Sequence, residues 1–164
     1  MTLKNQANDG QQQIDLKFMK KAIALARKSE LAGEIPIAAL VVDKNGRIIS
    51  QSTNLRETKT TVLGHAELVA LHRACKKLGS WRLNGCTLYV TLEPCFMCAG
   101  ALVQARIDRV VFATHDPKAG ALGSVADLSN HEKLNHRFVT QQGPLQEESS
   151  QMLKNFFKKK RTQN

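Results

Sequence analysis

Two short segments carry the residues able to do chemistry: Gly64-His65-Ala66-Glu67-Leu68 and Glu93-Pro94-Cys95-Phe96-Met97-Cys98. Cys95 and Cys98 stand three apart, which on a helix puts them on one face and lets both sulfurs reach one ion. Imidazole and thiolate together suit Zn2+ at tetrahedral geometry, and His65 is the candidate third ligand. Structural zinc sites are normally closed by four protein groups, whereas a set of three leaves a position for water, as catalytic sites do. Glu67, two residues after His65, faces another way on a helix and reads as a proton acceptor beside that water, not as a ligand. Zinc lowers the pKa of bound water towards ~7, and the carboxylate can take the proton and hand it on to a substrate. A Cys-x-x-Cys pair alone would also serve thiol redox chemistry, and a lone His-x-Glu says little. Their joint occurrence, each at the expected start of a helix, favours a catalytic zinc.

The elements that must position these groups follow from periodicity. Leu16, Met19, Ile23 and Ala26 predict a helix from Asp15, its N-cap, to about Leu31, stopped at Gly33. Two strands, 36–42 and 47–53, are joined through Lys44-Asn45-Gly46, whose Asn-Gly pair suits a tight hairpin. A helix over 65–78 ends at Gly79, a strand spans 87–91, a helix 95–105 and a strand 109–114. Beyond a Gly-rich loop the pattern predicts a short helix near 125–134, a strand at 137–141 and a last helix over 146–160. Helix starts are electropositive and favour thiolate over thiol, which is the form that binds metal. The alternation predicts an α/β fold, a mixed sheet covered by helices, in one domain over residues 14–164 behind a disordered tail, 1–13.

With 164 residues the chain suits a single core, and it holds no apolar run approaching the ~20 residues that cross a bilayer. The N-terminus lacks the apolar stretch of a secretory signal, so the expected compartment is the cytoplasm. There, four cysteines read as reduced thiols or metal ligands more than as two disulfides; Cys75 and Cys86 look like small core residues. The net charge is +10, and Lys154, Lys158, Lys159, Lys160 and Arg161 gather at the C-terminus, which suits a polyanion partner and equally a solvated end.

From Asp15 onward the wording resembles the cytidine deaminase-like superfamily, and within it the bacterial tRNA-specific adenosine deaminases. The likeness rests on EIPIAALVV, an Asn on the second strand, HAE, TLYVTLEPCFMCAGAL, RVVFAT with DPKAGALGS, and a terminal FFKKKR. His-x-Glu with Pro-Cys-x-x-Cys is the signature of zinc nucleobase deaminases. The resemblance implies a three-layer fold with a five-stranded mixed sheet between helices, one Zn2+ per subunit on His65, Cys95 and Cys98, and Glu67 as proton shuttle. It further implies Asn54 as a partner of the base, Asp116 as a contact to the anticodon, a homodimer, and conversion of the wobble adenosine to inosine. Lys118, Phe156 and Lys160 complete the expected substrate contacts on an anticodon stem-loop. Ala38, Gly64 and Pro117 depart from the family's usual residues.

Other readings stand beside these. Asn54 at a strand end can be a turn-former, and Asp116 before Pro117 is a common loop pair. Phe156 and Phe157 suit helix-to-core packing for at least one of them, and His72, His115, His131 and His136 read as solvent or core residues. A small-molecule deaminase of guanine, cytidine or deoxycytidylate would share the metal site, and a non-catalytic zinc-stabilised RNA-binding subunit would need no Glu67. Five terminal cations on phosphates would give RNA binding a log–log salt slope of about −3.5.

Overall fold

The computed structural model describes residues 3–162, and side-chain environments from residue 9. The elements run α1 (Leu3–Leu31), β1 (Ala38–Val42), β2 (Ile48–Thr53), α2 (Ala66–Leu78), β3 (Thr87–Leu92), α3 (Phe96–Gln104), β4 (Arg109–Thr114), β5 (Val139–Gln142) and α4 (Gln146–Thr162). One sheet of order β2-β1-β3-β4-β5 forms the middle layer. β1 is antiparallel to β2 and β3, while β3, β4 and β5 are parallel. This is the mixed five-stranded sheet between helices that the resemblance implies.

The period-2 alternation of strands decides which helix covers which face. Ala38, Leu40 and Val42 of β1 pack with Phe18, Met19, Ala22, Ile23 and Ala26 of α1 and Met152 of α4. Ala39 and Val41 point the other way, into a core shared with Ala70 and Leu71 of α2 and Leu102 and Val103 of α3. Ala38 therefore faces α1, so its departure from the family's usual glycine lies on the side of the sheet opposite α2 and α3. In the β1–β2 hairpin, Gly46 takes φ 75° and donates its N–H to Asp43, as the Asn-Gly pair predicts.

Three expectations change. The first helix begins at Leu3, not at Asp15, although residues 9–13 lie exposed along it and bury nothing; Met1 and Thr2 of the expected tail lie outside the described residues. Asp15, read as an N-cap, is instead inside α1 and 1% exposed. Its carboxylate accepts two bonds from Arg109, at 2.8 and 2.6 Å, and one from the Tyr89 hydroxyl at 2.8 Å. Burial raises the Asp15 pKa, but the bonds from Arg109, Tyr89 and Gln11 outweigh it and hold the group below its ordinary value. The expected helix at 125–134 does not form: the segment is turns and isolated bridges that make a loop of 115–138 on the way to β5. Its apolar residues Leu128 and Leu134 dock singly on the core and need no helical face to do so.

Candidate active site

The ligand residues sit at the first turns of two helices that start on the same edge of the molecule. His65 caps α2 with φ −70° and ψ 139°, and Cys95 caps α3 with φ −73° and ψ 174°, both extended. Pro94 precedes the cap, where its fixed φ and missing N–H cost the helix nothing. His65 Nδ1 lies 3.6 Å from Cys95 Sγ and 3.5 Å from Cys98 Sγ, and the three ligand atoms fall within 4.8 Å of one another. Zinc bonds of about 2.0–2.1 Å to nitrogen and about 2.3 Å to sulfur, at the tetrahedral angle, separate N from S by about 3.6 Å. The residues present therefore fit a zinc ion by donor type and by spacing.

The electrostatics of the three groups agree with that fit. A hydrogen bond from the Cys98 thiol, with His65 nearby and against the cost of burial, brings Cys95 down to about 4. The same bond and burial push Cys98 up, and the bond to Cys95 raises His65. One thiolate, one thiol and one imidazole thus share protons that a divalent cation would replace.

Glu67 is the second residue of α2 and is 5% exposed. Burial pushes its carboxyl above the usual range. It borders, with His65 and Cys95, a cleft of about 740 Å3. Ile35, Ile37 and Leu92 give that cleft apolar walls, and Arg56, Lys118, Lys154 and Arg161 line it as cations.

Asn54 and Asp116 both line the cleft. Asn54 is 3% exposed and donates from Nδ2 to Glu34 Oε2 at 3.0 Å. Asp116 Oδ1 accepts the backbone N–H groups of Lys118 and Ala119 at 3.0 and 3.2 Å, so one of its oxygens shapes its own turn. Two other expected contacts do not reach the cleft. Phe156 is 7% exposed and belongs to the sheet-facing stripe Ser149, Met152, Phe156 of α4. The cleft-facing stripe is Ser150, Leu153, Lys154, Phe157, Arg161, one position round the helix. Lys160 stands 5.8 Å over the Phe156 ring instead of at the cleft, and Lys159 pairs with Glu30 at 2.9 Å. The terminal cations are therefore split by helical period, and two of the five face the cleft.

Sequence reasoning missed two buried carboxylates, Glu34 and Glu93. Glu93 is 2% exposed and accepts N–H bonds from Asp116, Leu122 and Ser124, each at 3.0 Å, together with the Ser124 hydroxyl. His115 Nδ1, at 3.0 Å, completes the set and brings that ring to the cleft. The position of Glu93 immediately before Pro94 was the one available signal. Gly64 also gains a reason: a Cβ there would lie 2.7 Å from the backbone carbon of Leu55, where the 54–64 loop closes on itself.

A family model for MafB19-like deaminases matches residues 14–161. A tRNA-specific adenosine deaminase of Bacillus subtilis is 49% identical over 144 residues, 88% of this chain and 89% of the relative. The chain belongs to the tRNA-specific adenosine deaminase family. A second such deaminase, from Haemophilus influenzae, is 44% identical over 91% of this chain and 86% of its own length. Among solved structures, one from work on A-to-I editing by tRNA:A34 deaminases superposes with a TM-score of 0.80 at 38% identity, covering 84% of this chain and 99% of that one. A guanine deaminase from Bacillus subtilis gives 0.59 at 34% identity, over 85% of this chain and 92% of the other. Its lower score, despite comparable coverage of both chains, places this member of the tRNA-specific adenosine deaminase family nearer in shape to the first structure.

Proposed function

We propose that this chain is a zinc-dependent hydrolytic deaminase that converts adenosine to inosine at the wobble position (34) of a tRNA anticodon, acting as a cytoplasmic homodimer with one zinc per subunit. The observation that carries the reading is the Glu67 carboxyl, buried in the floor of the cleft next to His65 Nδ1 and the Cys95 and Cys98 sulfurs. When bound, Zn2+ supplies Lewis acidity that makes water a nucleophile near neutral pH. His65, Cys95 and Cys98 would hold it. Glu67 takes a proton from the attacking water, passes it to the ring, and moves a further proton to the leaving amine. A carbon–oxygen bond replaces the carbon–nitrogen bond, and ammonia departs. A carboxyl whose pKa burial has raised suits both halves of that work, because it can hold the proton between steps.

The remaining residues select the substrate. Ile35, Ile37 and Leu92 offer apolar surface to a flat base, and Asn54 offers it a hydrogen bond. A base in a loop costs less to extract than one in a duplex, and RNA readers favour such loops. Arg56, Lys118, Lys154 and Arg161 are placed to meet backbone phosphates.

The likeness to a guanine deaminase favours one second reading, a small-molecule deaminase. The cationic lining of the cleft argues for a polyanion, which a free base is not. Ammonia release from zinc-loaded protein, measured on an anticodon stem-loop and on free adenosine, guanine and cytidine, separates the two. Release from the stem-loop alone is expected. Release from guanine or cytidine would favour the second reading, and none from any substrate would point to a non-catalytic subunit.

A further inference from the structure

Glu34 lies between α1 and β1 and is 1% exposed. Its two oxygens have separate duties. Oε1 accepts the Thr58 backbone N–H at 2.7 Å and the Thr58 hydroxyl at 2.9 Å, while Oε2 accepts Asn54 Nδ2 at 3.0 Å. Burial raises the Glu34 pKa, but the bonds from Thr58, Glu57 and Asn54 outweigh it and keep the group an anion. A carboxylate has no hydrogen to give, so the Asn54 amide can meet it only with its nitrogen end. The direction of that amide is thus set by the chemistry of its neighbour. Among the described residues no buried side-chain nitrogen or oxygen lacks a partner, and Asn54 Oδ1 has none within the protein. That oxygen is therefore accessible, and the space Asn54 borders is the cleft.

We propose that Glu34 is a positioning residue for recognition: it fixes the Asn54 amide so that Oδ1 faces the cleft as an acceptor for an N–H or O–H of the target nucleoside. The inference rests on the reading of the cleft as a nucleoside site. It differs from a bracing role in what it requires of Asn54, since bracing the 54–58 loop needs only the bonds from Thr58.

Glu34→Gln separates these roles. The Thr58 N–H can only donate, so it keeps the oxygen of the introduced amide, and the nitrogen of that amide must turn to Asn54. The Asn54 amide then reverses and offers its nitrogen to the cleft. The single variant is expected to lose about tenfold or more in kcat/KM on an anticodon stem-loop with zinc content close to wild type, while Tm falls with the loss of the buried anion. The double variant Glu34→Gln, Asn54→Asp keeps the same net charge. In it the introduced amide nitrogen meets one oxygen of the introduced carboxylate, and the other oxygen again faces the cleft as an acceptor. Recovery to within about threefold of wild type is expected.

No loss in the single variant, or a loss that the double variant does not recover, would overturn the proposal. Should the single variant fail to fold, the charge-conserving double variant compared with wild type decides in the same way. Stem-loop affinity measured on the same proteins follows the same pattern and needs no turnover. Wild-type protein that binds the stem-loop without deaminating it would count against the assigned reaction, and the affinities would still decide the role of Glu34.

Discussion

The floor and the rim of the cleft are built on opposite principles. The floor comes from two segments, 65–67 and 95–98, each fixed by the first turn of a helix whose inner face is core. The rim comes from three separate stretches, at Arg56, at 115–119 and along one face of α4, brought together only by tertiary folding. The floor holds His65 Nδ1 at the distance from both sulfurs that one ion needs, and the rim holds charge on long exposed side chains. Such a division suits a reaction that is exacting at one carbon atom and tolerant along a polynucleotide backbone.

Breaking the floor has the largest expected effect. Glu67→Ala should lower turnover by about 10²–10⁴-fold while zinc content, measured by atomic absorption, and Tm stay near wild type. Unchanged turnover would remove Glu67 from the mechanism. Next comes the joint between the two regions. A side chain at Gly120 would overlap the Glu93 carboxyl group that pins the 115–124 loop, so Gly120→Ala should cost about 1–3 kcal/mol by denaturant melt. Lost stability without altered stem-loop affinity would mean that this loop does not shape the rim.

Acid stability sharpens the contrast by isolating the frame. Asp15, Glu34 and Glu93 all sit below their ordinary values in the folded protein: burial raises each, and their hydrogen bonds outweigh it. Depressed carboxylates add stability that is complete above the unfolded pKa, about 4, and lost as pH falls from there through the folded values. Asp15→Asn should therefore flatten the acid limb of a Tm-versus-pH curve; an unchanged limb would deny the pair with Arg109 that role.

The rim gives the smallest effects. Four cleft cations at about −0.7 each give a log–log salt slope of about −2.8, shallower than five terminal cations would give. Lys154→Ala and Arg161→Ala should each reduce it by about 0.7, and Lys160→Ala should leave it alone. Equal effects at all three positions would show that the terminal helix binds RNA by charge without regard to face.

What was legible in the sequence follows the same division. His65, Glu67, Cys95 and Cys98 could be read because their geometry is local: a helix start and a spacing of three place them without knowledge of the fold. Four of the five strands could be read from apolar and β-rich runs, and β5 fell within two residues of its expected bounds at each end. The cleft-facing side of α4 could not be, because Phe156 and Phe157 are adjacent and equally apolar. Only the direction from which the sheet approaches decides which one is buried. Glu34 and Glu93 were hidden for a related reason. A glutamate normally marks solvent, and these two are buried only because loops far along the chain, at Thr58 and at Ser124, supply the N–H groups that satisfy them.

The most direct test of the account is mass-spectrometric detection of inosine in an anticodon stem-loop with adenosine at the wobble position, treated with zinc-loaded wild-type protein and with Glu67→Ala. Inosine at that position with wild type, and none above background with the variant, is the predicted result. Equal inosine from both proteins, or none from either with zinc bound, would contradict it.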